Sequence, residues 1–514
     1  MSAASTSTST PAAAAAAAPE PESRLVVRAP ATGALLGEVA IDDAAAVRAK
    51  VAAARAAQLQ WAHTPLAERA RRVLGFRDVL VRSARELAGA LERENGKTRV
   101  EALAMELTPS IDAITYFARR AEQLLAPQPI PLHLYKHRKS YLHFVPRGVV
   151  GVISAWNFPL SIPTIEAAMA ALAGNAAVVK PSEVTPLVML EVKRLWDASG
   201  MPPDLLQIVN GRGATGAALV EAGIDMCIFT GSTATGRRVA AACGERLIPC
   251  VLELGGKAPA IVCADADLER TANALVWGAF ANSGQVCASV ERVYVHASVH
   301  DELCSRILAK TRKLRQGDPA AGGDVDVGAM TWERQLTHVE ELVARAQAAG
   351  AKILLGGRRR PGVGQFYEPT VLTDCKQDMD IMRREIFGPV LPIMKVDSEE
   401  QALSLANDSQ LGLLGYVFTR DKKKGRRLAE RLEAGTVMVN DVLATFGAPE
   451  TPWAGLKQSG LGRTHSDDGL RDMCQTRHVN HDRLALARDP WWYPYSQKVF
   501  ERSLKLLRLL YRPR

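Results

Sequence analysis

The sequence predicts an α/β protein of two doubly wound, Rossmann-like lobes. Two observations carry the prediction. From about residue 149, short runs rich in β-branched residues alternate with helical stretches through "GVVGVISAW", "AAVVKPSE", "LLQIVNGRG", "MCIFTGS" and "CVLELGG". Five such runs, joined by four helices through Gly, Pro and Ser turns, are the pattern of βαβ units in a parallel sheet, whose crossovers share one hand. A second alternating region starts near Pro259 and runs to about Val439, and at 514 residues the chain is long enough for more than one core. In open sheets of this kind ligands bind at the carboxyl ends of the strands, where the loops described below fall.

In chain order, the opening "MSAASTSTSTPAAAAAAAPEPES" is rich in Ala, Ser, Thr and Pro. It has neither the basic start of a signal peptide nor the arginines of a transit peptide, and residues 1–22 read as a disordered leader. Residues 42–124 read as long amphipathic helices, for example "DDAAAVRAKVAAARAAQLQWA". An apolar fraction of 47% and a charged fraction of 23% are those of a globular protein. The net charge of +9 is uneven, because residues 481–514 hold eight Lys/Arg against three Asp/Glu. The body is then nearly neutral and carries no base-reading motif, which argues against a nucleic-acid partner. The eight cysteines form no CxxC pair and stand near no histidine at zinc-ligand spacing, so no metal is expected. Reduced thiols in a cytoplasm are the expectation.

Three loops follow strand-like runs. "GRGATG" sets Gly211, Gly213 and Gly216 in G-x-G-x-x-G spacing, a weak signal that a plain turn explains nearly as well. "FTGSTATG" (229–236) opens a helix whose free N–H groups, with Ser232 and the helix dipole, suit a phosphate. "VVKPSE" leaves Lys180 and Glu183 just past a strand end. Together they point to a dinucleotide site. Further on, Cys287 sits between the small-residue loop 282–285 and a buried-looking run, and on those residues alone is either a core thiol or a reactive one.

Seven motifs then stand in order: "PRGVVGVISAWNFPL" (146–160), "KPSE" (180–183), "FTGSTATG", "LELGGKAP" (252–259), "SGQVC" (283–287), "EIFGPV" (385–390) and "KQSGLGR" (457–463). Over roughly residues 25–480 the chain resembles the NAD(P)-dependent aldehyde dehydrogenase superfamily. The resemblance implies Cys287 as the nucleophile that forms a thiohemiacetal and then a thioester. It implies Glu253, 34 residues upstream, as the base that activates water. It implies Asn157 as an oxyanion donor, a group worth about 3 kcal/mol, and adds Lys180 to the catalytic set.

For the cofactor the resemblance implies Lys180, Ser182 and Glu183 at the adenosine ribose, Gly211 beside the adenine, and Gly231 and Ser232 at the pyrophosphate. Ile153, Trp156 and Leu254 would line the cleft, with Glu385 and Phe387 at the nicotinamide ribose and ring. Glu183 beside a 2′-hydroxyl would repel the extra phosphate of NADP, so NAD is expected, with NADP as the alternative. Phe158, Ile162, Ile165, Val286, Ala288 and Phe446 suggest an apolar substrate tunnel, approached by Trp453 where the family's "PFGG" reads "PWAG". With no arginine to bind a substrate carboxylate, an apolar, aromatic or fatty aldehyde is favoured. A succinate-semialdehyde-type enzyme and, from another class, a cysteine hydrolase or esterase are the alternatives.

The implied organisation is a cofactor domain over 23–124 and 147–256, and a catalytic domain over 257–463. Residues 125–146 and 464–487 form a bridging hairpin and segment, which implies a homodimer or homotetramer. Residues 488–514 form a basic amphipathic tail. On a helix, Val499, Phe500, Ser503, Leu504, Leu507, Leu510 and Tyr511 share one face, with Lys498, Arg502, Lys505, Arg508 and Arg512 mainly elsewhere. That is the pattern of a peripheral membrane anchor, or of a helix packed on the body or on another subunit.

Overall fold

Valine- and alanine-rich runs with no polar face are stable inside a sheet covered on both sides. The computed structural model describes residues 23–489 and 491–511, and the leader expected over 1–22 lies outside them. Val149–Ile153, Ala176–Lys180 and Met226–Thr230 are strands buried almost end to end. With Leu206–Ile208 and Cys250–Glu253 they form a parallel sheet. Its order, from one edge, is 250–253, 226–230, 149–153, 176–180, 206–208, and the short Gly460–Leu461 adds antiparallel to the 250–253 edge. Helices Ser161–Leu172, Leu187–Ala198, Gly213–Glu221 and Thr233–Glu245 make the crossovers. The order reverses beside Val149–Ile153, which makes the carboxyl end of that strand the switch point of the sheet.

The second sheet runs in the order Lys352–Leu355, Thr370–Thr373, Val390–Val396, Arg292–His296, Pro259–Val262, Leu414–Phe418, Thr436–Val439. Only the first of these is antiparallel to its neighbour. The α/β class and both sheets expected from the sequence are present. The upstream helices Ala44–Trp61, Leu66–Arg82 and Thr108–Leu125 pack Trp61, Phe76 and Phe117 into the core of the first sheet. Between them Ala102–Leu107 winds as a π-helix, a distortion that recurs at functional sites.

Gln128–Ile130, Arg138–Pro146 and Cys474–Asp482 form a separate antiparallel sheet. The chain continues into a helix, Gln497–Leu510, none of whose residues is buried. Among the described residues no helix is long and apolar enough to cross a membrane, no cluster of three or more metal-ligating side chains occurs, and all eight cysteines are free.

Candidate active site

The loop before Cys287 bends where few residues can. Helix Leu268–Phe280, capped by Asp267, gives way to Asn282, Ser283 and Gly284 at φ of 50°, 55° and 72°. A Cβ at Gly284 would collide with the Gly388 carbonyl. Non-glycine residues hold the left-handed region only when bonds over-determine them. Here the Asn282 amide donates to Glu101 Oε1 (2.7 Å), its side chain to the Asn157 carbonyl (3.1 Å), and Ser283 Oγ to Gly328 O (2.9 Å). Gln285, wholly buried, accepts from the Thr331 amide (2.8 Å) and donates to Asn282 O (2.9 Å). The thiol is thus delivered by a rigid loop to the floor of a cavity between the two sheets.

That cavity measures about 1180 Å³. Every residue singled out from the sequence lines it, with the exception of Gly211. Gly211 instead stands behind Lys180, whose Nζ donates to the carbonyls of Gly211 and Pro181 (both 2.8 Å) and pairs with Glu183 at 3.7 Å. Gly213 and Gly216 take the place on the wall. Gly231 lines the wall as expected, with its amide already engaged. Its amide donates to the Glu253 carbonyl (3.0 Å) and is not free for an anion. Ser232 caps the helix Thr233–Glu245, so the free donors at that terminus are first-turn amides rather than Gly231.

At the other end of the same cleft, Phe387 holds a φ of 51° and meets Trp156 edge-on at 5.3 Å. Glu385 Oε1 accepts from the Gly256 amide (2.9 Å), and burial pushes its carboxyl up to about 8, helped by the charge of Glu291. A Cβ at Gly256 would collide with the Cys287 carbonyl, so only glycine lets these segments meet.

The chemistry gathers round Cys287. Burial pushes its thiol up to about 12, and the charges of Glu385 and Glu253 add to this, while the backbone amides of Cys287 and Ala288 favour the thiolate. Asn157 Nδ2 donates to the Gln285 carbonyl (3.1 Å), which fixes the amide and uses one of its two hydrogens. Glu253 is 6% exposed and neither carboxyl oxygen has a hydrogen-bond partner. Burial raises it well above the usual carboxylate range, with the charge of Glu166 second and the Trp453 indole opposing.

The sequence model of the aldehyde dehydrogenase family matches residues 17–479. The chain belongs to this family. It is 41% identical over 464 residues to a Mycolicibacterium smegmatis protein provisionally named succinate-semialdehyde dehydrogenase (NADP(+)), covering 89% of each. It is 36% identical over 488 residues to the 4,4'-diapolycopene aldehyde oxidase of a Methylomonas species, covering 94% of this chain and 90% of that one. The NAD+ complex of a Bacillus cereus aldehyde dehydrogenase superimposes with a TM-score of 0.86 at 33% identity, covering 89% of this chain and 93% of that one. This aldehyde dehydrogenase is an oxidoreductase acting on aldehydes, and its cofactor is a nicotinamide dinucleotide.

Several wall residues of the dehydrogenase escaped the sequence reading. Glu166 lies on the helix that presents Ile162 and Ile165, is 4% exposed, and leaves Oε2 without a partner. Burial pushes it up to about 8. Its signal in the sequence is the one charge in "SIPTIEAAMAAL". His465 is also buried with Nε2 unpartnered, and burial pushes it down to about 4, so it is neutral. Phe446 stacks on Phe158 (6.5 Å) and takes Trp453 (5.1 Å) and His465 (4.8 Å) on its edges. Met105, from the π-helix, Trp277 and Leu443 complete that end. Two arginines, Arg238 and Arg334, also line the wall. Arg238 is on the helix that Ser232 caps, and Arg334 covers Trp332, which meets Trp156.

Proposed function

We propose that the enzyme oxidises an apolar aldehyde, aromatic or long-chain aliphatic, to its carboxylic acid, with Cys287 as nucleophile, Asn157 as oxyanion donor and Glu253 as base. One observation carries the reading: a thiol, a tethered amide and a bare carboxyl share a cavity whose substrate end is aromatic and without a cation. A substrate carboxylate would find no cation among Met105, Phe158, Trp277, Phe446, Trp453 and neutral His465, and burying a charge without a counter-charge is costly. This disfavours a semialdehyde acid, despite the name carried by the Mycolicibacterium relative.

In the proposed sequence the Cys287 sulfur bonds to the aldehyde carbon as its proton leaves. The carbonyl oxygen becomes an oxyanion held by the second hydrogen of the Asn157 amide and the Cys287 backbone amide. A bound nicotinamide dinucleotide supplies the two-electron acceptor for the aldehyde hydrogen. Glu253 then takes a proton from water, which attacks the Cys287 thioester, and the acid leaves as the thiol is restored. The cofactor fits the cleft because a capped helix terminus offers unpaired amides to a diphosphate, Lys180, Ser182 and Glu183 offer polar groups to a ribose, and Glu385 and Phe387 line the opposite wall. Glu183, 3.7 Å from Lys180, places a carboxylate where NADP carries its 2′-phosphate, so NAD is preferred to NADP.

The domain division given above, a homodimer or homotetramer joined through residues 125–146 and 464–487, and a cytoplasmic location belong to the same reading. Its test is NADH formation from short, aromatic and long-chain aldehydes, with Cys287→Ala as control. Activity should need NAD and lose at least about 10³-fold without the thiol. Ester hydrolysis with no NADH or NADPH formed from any aldehyde would instead establish a cysteine hydrolase.

A further inference from the structure

The helix Gln497–Leu510 is capped by Ser496, whose Oγ accepts from the Val499 amide (3.3 Å). Phe500, Leu504, Leu507 and Leu510 share one side of it, and Lys498, Arg502, Lys505 and Arg508 lie mainly on the other, where the exposed Leu506 and Leu509 also stand. Phe500 is 57% exposed, Leu507 54% and Leu510 48%, so the apolar side does not pack on the body. A helix of 14 residues has little stability of its own in water, and an apolar side left open on it needs a surface to meet.

The approach to the helix is anchored. Trp491 meets the edge of Tyr135 at 5.8 Å and lies under the Arg138 guanidinium at 5.9 Å. Asp489, nearly buried, pairs with Arg138 at 3.4 Å. Trp492, Tyr493 and Tyr495 then stand exposed between that anchor and the helix. The result is a fixed base, an aromatic collar and an amphipathic helix.

Two occupants suit an apolar face of this shape, a second copy and a lipid surface, and charge separates them. A second copy paired about a two-fold axis would cover the apolar side alone and leave the four cations, with Glu501 the only acid beside them, without a counter-charge. An anionic bilayer satisfies both sides at once. The apolar face enters the acyl boundary, the cations meet headgroup phosphates, and Trp and Tyr rings settle at the interface.

We propose that residues 491–511 are an in-plane docking element for an anionic bilayer surface. Taken with the apolar tunnel, and resting on that reading, it directs the enzyme to aldehydes that partition into membranes.

The test is co-sedimentation of the full chain with phosphatidylcholine vesicles, with and without phosphatidylglycerol, beside NADH formation from a short water-soluble aldehyde. Binding should require phosphatidylglycerol and weaken with salt. Replacing Lys498, Arg502 and Lys505 by Gln together should lower vesicle affinity on the order of 10²-fold. Phe500→Ser with Leu507→Ser should abolish binding. Neither variant should change turnover of the soluble aldehyde, whose loss in the unaltered enzyme would instead strike the catalytic reading. Vesicle binding that is absent, or indifferent to both variants, overturns the proposal. So does a fall in oligomer mass in the Phe500/Leu507 variant with vesicle binding intact, which would make the face a subunit contact.

Discussion

Lys97 and Glu106 are as deeply buried as Glu253 and Glu166, yet the two sets are bonded in opposite ways. Lys97 Nζ reaches Glu106 at 2.5 Å and the Asn157 carbonyl at 2.9 Å, while Glu106 Oε2 takes the amides of Leu160 (3.1 Å) and Ser161 (2.7 Å). Glu101 holds the amides of Asn282 and Thr98. Glu291 takes Lys257 on one side and the amides of Ile386 and Phe387 on the other. Each of these charges clamps a loop that carries a site residue: Asn157, the Cys287 turn or Phe387. Glu253 and the free oxygen of Glu166 clamp nothing and face the cavity. A buried charge is costly unless bonded. The bonded ones therefore keep the site rigid, and the bare ones are available for chemistry.

The comparison breaks if both sets behave alike on mutation. Glu253→Gln should slow turnover by about 10²–10⁴-fold, with a burst of roughly one NADH per site before the slow phase, because only the water step needs the base. Its melting temperature should not fall, since burial opposes the charged form of Glu253 and Gln carries no charge. Lys97→Met should do the reverse. It leaves Glu106 buried without its cation and should cost about 3–5 kcal/mol, read as a lower midpoint in urea unfolding. If Glu253→Gln unfolds as readily as Lys97→Met, the distinction between clamps and bare groups fails. Asn157→Ala sits between the sets, because one amide hydrogen holds Gln285 O and the other is free. Turnover should fall about 10²–10³-fold through kcat, with a smaller loss of stability.

The clamps and the bare groups were not equally legible in the sequence. The strands could be read because both faces are buried, so each run is apolar throughout. Cys287, Glu253 and Asn157 could be singled out because they stand in loops or at strand ends with recognisable neighbours. Glu166 could not, because a helix pattern says which residues share a face and not which face meets a void. Ile162 and Ile165 are legible as apolar wall, while Glu166 beside them has no such pattern. The engagement of the Gly231 amide is hidden from sequence for a related reason. A glycine in a strand-to-helix turn looks free in sequence, but its N–H extends the ladder to the neighbouring strand at Glu253. The tail helix was legible as amphipathic, while its separation from the body depends on tertiary packing that no local pattern encodes.

Glu166→Gln is the smallest effect and the finest test of the comparison. The charge of Glu166 is the second cause, after burial, that raises Glu253, so Glu166 bears on the titration of the base. With Glu166 made neutral, the charge that helps raise Glu253 disappears, and the rise of deacylation-limited kcat with pH should move to lower pH. At neutral pH the change should stay below about tenfold, since one pKa unit is a factor of ten. Stability supplies an independent sign. A carboxyl pushed from 4.5 up to about 8 binds a proton more tightly folded than unfolded. Its contribution is complete below pH 4.5 and is lost as pH rises through about 8. The wild-type melting temperature should therefore fall across that window, and the Gln variant should flatten the fall. A uniform loss of kcat at every pH, with the stability slope unchanged, would class Glu166 with the clamps.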